Sequence, residues 1–167
     1  QTATSDILGV IASSPTDVQP VFDTIARNAV TLCDSLFANV FRFDGEQLHF
    51  VSNHNALPKP VEIMRRLYPM RPDVTQVSGR VILTKSIVHM DDALADPDYD
   101  HRFPIAGGWR RMLGVPMMRA EGVPLGAIVV AWNEPGPIPK YQEELLKTFA
   151  DQAVIAIENV RLFQELK

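Results

Sequence analysis

"RMLGVPMMRAEGVPLGAIVVAW", residues 111–132, reads as two β-strands and the turn between them. Apolar and β-branched residues fill 111–119 and 123–132, and only Ala120-Glu121-Gly122 separates them. So short a connection permits antiparallel pairing and nothing else. Pro116 and Pro124 cannot donate to a ladder, so a bulge or a local edge is expected beside them. A second hairpin lies upstream in "FANVFRFDGEQLHFVSN", residues 37–53, where Asp44-Gly45 is a strong tight-turn dipeptide. Two hairpins with helical segments before, between and after them define an α+β domain built on an antiparallel sheet.

The helical segments follow from spacing. Residues 3–13 form a short helix candidate with Ile7, Leu8, Val10 and Ile11 on one side. A helix over about 18–35 carries Val18, Phe22, Ile25, Ala29, Leu32 and Leu36 at steps of three and four, with Asp17 as candidate N-cap and Pro20 in the first turn. Cys33 lies beside that stripe and reads as a buried small hydrophobe. "PKPVEIMRRLYPM" is a helix opened by Pro60 and closed near Pro69, "VSGRVILTK" a helical turn and "SIVHM" a short strand. "DDALADPDYDHRFPIAGG", 91–108, is a polar, proline-broken loop with one helical turn. The terminal helices should cover one face of the sheet. The middle segments then roof the other, leaving a cavity under residues 77–110, and loop 96–108 should be among the most mobile parts.

Composition limits the function. The chain has 167 residues, 46% hydrophobic content and a formal net charge of −4, enough for one compact domain with a core. Its 16 Lys and Arg are scattered, so neither nucleic acid nor an anionic membrane is an expected partner. One cysteine excludes an internal disulfide and fits a reducing, cytoplasmic setting. No apolar run approaches the roughly 20 residues of a membrane span.

Catalytic and metal motifs are weak. His49, His54, His89 and His101 form no close ligand set, and no nucleophile elbow or phosphate loop occurs. Asp96, Asp98 and Asp100 match positions one, three and five of a calcium loop, but His101 stands where glycine belongs and Gly107 where a bidentate Glu belongs. No metal is expected.

The order "LGVPM", a turn, "PLGAIVV" and then "FADQAVIAIEN", together with "ALADPDYDHR", resembles GAF domains over about residues 17–160. Residues 1–16 are then a helical connector, and 161–167 open a signalling helix toward an output domain. The resemblance implies a six-stranded antiparallel sheet, a helical dimerisation face and a ligand pocket opposite. It also resembles GAF units placed before histidine kinase or nucleotide cyclase domains. The departures narrow the ligand. Cyclic-nucleotide relatives carry Asn-Lys and a later acidic pair, whereas this chain has Thr84-Lys85 and no acidic pair after Phe103. Bilin relatives use a pocket cysteine, whereas Cys33 is in the first long helix, and no haem or other cofactor is expected. Relatives that reduce free methionine sulfoxide need an attacking and a resolving thiol, which one cysteine cannot supply. For an unidentified small molecule, the candidate walls are Asn53, His89, Asp91, Asp92, Arg102, Trp109 and Arg110. The two arginines suit a carboxylate or phosphate, or else pair with the neighbouring aspartates.

The closing helix carries the output. Leu146, Phe149, Ala153, Ala156, Val160 and Phe163 recur like a coiled-coil seam, and Leu145, Ile155, Leu162 and Leu166 make a second stripe. One stripe can cover the sheet; the other needs a partner. The expected homodimer interface comprises Ile7, Ile11, Ala153, Ala156, Val160 and Phe163. The sequence therefore describes a non-catalytic sensory module of a sensor histidine kinase or similar protein. The alternative is a dimerisation spacer with a closed pocket. An autonomous enzyme stands third.

Overall fold

The strands carry the pattern that sorts the molecule into layers. In a computed structural model, which describes Gly9 and residues 17–166, helix α1 (Gln19–Cys33) leads into strands β1 (Phe37–Phe43) and β2 (Leu48–His54). Helices α2 (Pro58–Leu67) and α3 (Val77–Thr84) follow, then β3 (Val88–Met90) and α4 (Arg102–Gly107). Strands β4 (Arg111–Met118) and β5 (Pro124–Trp132) form the second hairpin, and α5 (Lys140–Glu165) closes the fold. The expected connector over residues 1–16, with Ile7 and Ile11, lies outside the described residues except for Gly9.

All pairings are antiparallel and the order is β2-β1-β5-β4-β3. Among the described residues the sheet has five strands rather than six. Beyond β2, Met70 exchanges two backbone hydrogen bonds with Leu48 (2.7 and 3.1 Å) and the pairing stops there. Pro69 and Pro72 flank it and have no N–H to extend a ladder. Both hairpins keep their turn chemistry. Gly45 takes φ 101°, and the Asp44 carboxylate accepts the backbone N–H groups of Glu46 (2.8 Å) and Gln47 (2.7 Å). Strand β3 reaches only as far as Gly114 on β4, so Pro116 lies on a locally unpaired edge, and a register shift falls between Met117 and Met118, where Met118 pairs with Pro124.

Alternation then divides the core. Ala38 and Val40 of β1, Leu113, Val115 and Met117 of β4, and Ile128, Val130 and Trp132 of β5 pack with α1 and α5. Their neighbours Phe37, Phe41, Met112, Ala127, Val129 and Ala131 pack under α2, α3 and α4. Cys33 is fully buried in the α1/α5 layer, and burial pushes its thiol up to about 11. The Cys33 carbonyl accepts hydrogen bonds from Trp132 Nε1 (3.0 Å) and Gln142 Nε2 (2.8 Å), joining α1, β5 and α5.

The closing helix corrects one expectation. Ala153 (0% exposed) and Ala156 (1%) lie in the core with Leu146 and Phe149, against the domain's own sheet. Buried there, they present no surface for a second copy to touch. A coiled-coil seam and a core-facing stripe share one periodicity, so spacing alone could not separate them. The second stripe faces outward: Ile155 is 45% exposed and Leu162 49%. Val160 is half-buried.

Candidate functional site

Beneath the roof is a small cavity of about 20 Å³, room for one water-sized group. Phe37, Asn39 and Phe41 of β1 form its floor with Met112 and Val129; Met64 and Tyr68 close one side, Gln76, Val77 and Ser78 another, and Tyr99, Phe103 and Trp109 the roof. Asn39 occupies an inward position between two phenylalanines because it keeps the strand's alternation. Trp109 packs edge-on against Phe37, centroids 4.6 Å apart. Helix α3 sits close enough that a Cβ on Gly114 would meet Val77 Cγ1 at 2.6 Å, so glycine there is a packing requirement.

The roof is tied down, not open. Arg80 grips Asp96 through two hydrogen bonds (2.7 and 2.9 Å) and donates through Nε to the Val74 carbonyl (2.7 Å). That guanidinium holds the Asp96 carboxyl down at about 2. Asp100 N donates to the Thr75 carbonyl (3.0 Å), and Tyr99 and Phe103 are buried. Loop 96–108, expected to be loosely held, is anchored by inserted aromatic rings and an ion pair that polarity and proline content do not reveal.

Two donors around the cavity meet thioether sulfurs. Asn39 Nδ2 reaches the Met64 thioether (3.5 Å), and Trp109 Nε1, which also hydrogen-bonds the Tyr99 phenol, reaches the Met112 thioether (3.3 Å). Gln76, 5% exposed, has its Nε2 buried without a partner. Tyr68 Oη and Ser78 Oγ share one hydrogen bond (2.8 Å), and burial pushes the phenols of Tyr68 and Tyr99 up. None of the thirteen lining residues is charged, so ionic recognition has no group there to serve it.

Of the sequence candidates, Trp109 lines the cavity, and Asn53 supports it from outside by donating to Asn39 Oδ1 (3.1 Å). The others are elsewhere. Arg110 is paired with Asp92 through two hydrogen bonds (2.6 and 2.5 Å), and Arg102 with Asp100 (2.7 Å). Each carboxyl is held below its ordinary range by its arginine. His89 is exposed on β3 and bonded to Glu143 of α5, and Asp91 is exposed, with its carbonyl accepting Gly136 N (2.9 Å). Sequence reasoning passed over Asn39 and Gln76. Asn39 left a legible signal, a polar residue inside an otherwise apolar inward row; Gln76 left none.

The architecture is an α+β domain in which an antiparallel sheet carries long helices on one face and short helices with a loop on the other. The GAF domain family model matches residues 15–158, and the chain belongs to that family, whose members are sensory and regulatory modules. Solved structures agree in fold. The GAF domain/HD domain protein from Geobacter sulfurreducens is 16% identical, covering 90% of this chain and 97% of that one at TM-score 0.75. The GAF domain of a phosphoenolpyruvate-protein phosphotransferase from Coxiella burnetii is 16% identical over 99% of both chains, TM-score 0.75. Free methionine-R-sulfoxide reductase from Neisseria meningitidis, in complex with its substrate, is 16% identical, covering 93% and 86%, at TM-score 0.73. No curated protein matches the chain in sequence.

Proposed function

We propose that this chain is the ligand-sensing module of a signal-transduction protein, taking a small molecule beneath the roof by widening the cavity between α3, α4 and β1, which in this arrangement has room for only a water-sized group. One observation carries the reading: Gln76 lines the cavity, and its Nε2 is buried without a partner. An unpaired buried donor costs about 1–3 kcal/mol, a penalty that a bound acceptor removes. Occupancy acts by shifting the roof against the sheet, and the long helices on the opposite face relay the change between two copies of the chain to an output domain. A ligand transmits only if it binds the two arrangements unequally.

The module is proposed to be non-catalytic. Cys33, the sole cysteine, is buried in the opposite layer with its thiol pushed up to about 11, which disfavours the reactive thiolate. The second reading, a spacer with a permanently filled pocket, draws support from the cavity's small volume and anchored roof. Native mass spectrometry of gently purified protein separates the two. The sensor reading expects a bound small molecule, lost in Val129→Leu, which adds a methylene to the cavity wall. Protein without an adduct after exposure to cell extract favours the spacer.

A further inference from the structure

We infer that the outer side of the roof carries a second binding site, a groove between α2 and α4 that takes an apolar chain bearing one carboxylate, the chemistry of a medium-chain fatty acid. The open groove measures about 610 Å³, within the roughly 300–1,000 Å³ usual for small-molecule sites. Lys59 and Ile63 line it from α2, and Arg102, Ile105 and Ala106 from α4. A recess of about 200 Å³ shares Ile63 and Arg102 with it and adds Arg66 and Leu67. None of these residues lines the inner cavity, so the site stands apart from the sensory reading above. Positions 59, 63, 66 and 67 fall on one side of α2 by helical spacing. Helix α4 is seated against the start of that helix: a Cβ on Gly107 would run into the Trp109 ring and lie 3.1 Å from Pro60 Cγ. Apolar surface is left uncovered beside this contact, with Ile105 74% exposed. Residues 59–67 span about 12 Å of helix axis, a strip that an extended chain can cover.

Charge fixes the head group. Arg102 Nη2 donates to Asp100 (2.7 Å), and His101 Nε2 donates to the Asp96 carbonyl (2.7 Å). Lys59 has no hydrogen bond or ion pair among the described residues, which leaves the larger groove with one uncompensated cation. In the recess, Arg66 lies 3.9 Å from Glu62, and both side chains are mostly exposed. Helix α2 also begins without a side-chain cap and with no acid in its first turn, so its positive end adds to Lys59. One cation beside an apolar strip suits one negative charge on an apolar chain. A nucleic-acid backbone or an anionic bilayer is held by many cations, and the chain's net charge is −4.

Three probes separate head from tail at neutral pH: octanoate carries both, 1-octanol the tail alone and acetate the head alone. The readout is the spectrum of protein labelled with 13C at the isoleucine δ1 methyls. Ile63 and Ile105 report on the groove, and Ile25 and Ile128, fully buried under α1 and α5, are internal controls. Octanoate is expected to move Ile63 and Ile105 saturably and leave Ile25 and Ile128 in place, with octanol and acetate at least tenfold weaker. Lys59→Glu is expected to weaken octanoate at least fivefold and leave octanol unchanged. Ile105→Asp, at an exposed position, is expected to weaken both. Octanol binding as tightly as octanoate, or octanoate binding unchanged in Lys59→Glu, overturns the assigned head group and with it the inference. So does the absence of a saturable shift at Ile63 and Ile105, or an equal shift at Ile25 and Ile128. The inner cavity is read separately: an adduct lost in Val129→Leu belongs to the cavity, and one lost in Lys59→Glu to the groove.

Discussion

In the proposed sensory site, Gln76 would serve the ligand at the expense of the fold. Its amide nitrogen is buried and unpaired, and the residue ends the approach to α3 without capping it through its side chain. Replacing an unsatisfied polar group by an apolar one of similar size removes a desolvation penalty. Gln76→Leu is therefore expected to raise the stability of the unliganded protein by about 1 kcal/mol in urea denaturation with an unchanged slope. Loss of stability in that variant would mean that the amide is structural. The arginines make the opposite point. Arg102 and Arg110 look like anion receptors beside Trp109, but each is held by an aspartate two residues away or eighteen. Residue type signals chemistry, while the partner that uses it up can come from a distant part of the chain.

At the scale of elements, the sequence was most legible where periodicity and turn chemistry agree. Both hairpins and α1 lie close to where spacing puts them, because alternation and Asp44-Gly45 act locally. Strand count and roof packing were not legible, since one depends on a single bridge at Met70 and the other on an ion pair between α3 and a loop sixteen residues on. That strap supplies a pH dependence. Asp96 is held at about 2 against an ordinary value of 3.8, so its contribution is complete above pH 3.8 and is lost as pH falls toward 2. Asp96→Asn is expected to cost about 1–2 kcal/mol at neutral pH, because the charge-assisted pair is only partly screened. The gap between variant and parent should close between pH 4 and 2 in thermal melts. A gap that persists at pH 2 would assign the strap's strength to packing instead.

At the scale of the whole molecule, α5 has to serve two surfaces. Its inner stripe is spent on the sheet: Leu146, Phe149, Ala153 and Ala156 are each at most 1% exposed. Its outer stripe, Ile155, Leu162 and Leu166, is 45%, 49% and 86% exposed at spacings of seven and four. Those are the intervals at which two helices pack side by side. The proposed homodimer therefore runs through this outer stripe, and the proposed relay would carry a change in the roof to it through the strands on which α5 lies. Ile155→Asp with Leu162→Asp should convert the dimer to a monomer, since each charge would face an apolar stripe and its own copy across a two-fold axis. The fold should survive, because both side chains already face outward. Ala153→Asp is the contrasting variant: it buries an unpaired charge in the core, which the fold cannot accommodate without unfolding or protonating it. Sedimentation equilibrium with far-UV circular dichroism reads both results. The expected pattern is a folded monomer for the double variant and loss of helical signal for Ala153→Asp. A parent that is monomeric at tens of micromolar, or a double variant that remains dimeric, would remove α5 as the route by which one copy communicates with the other.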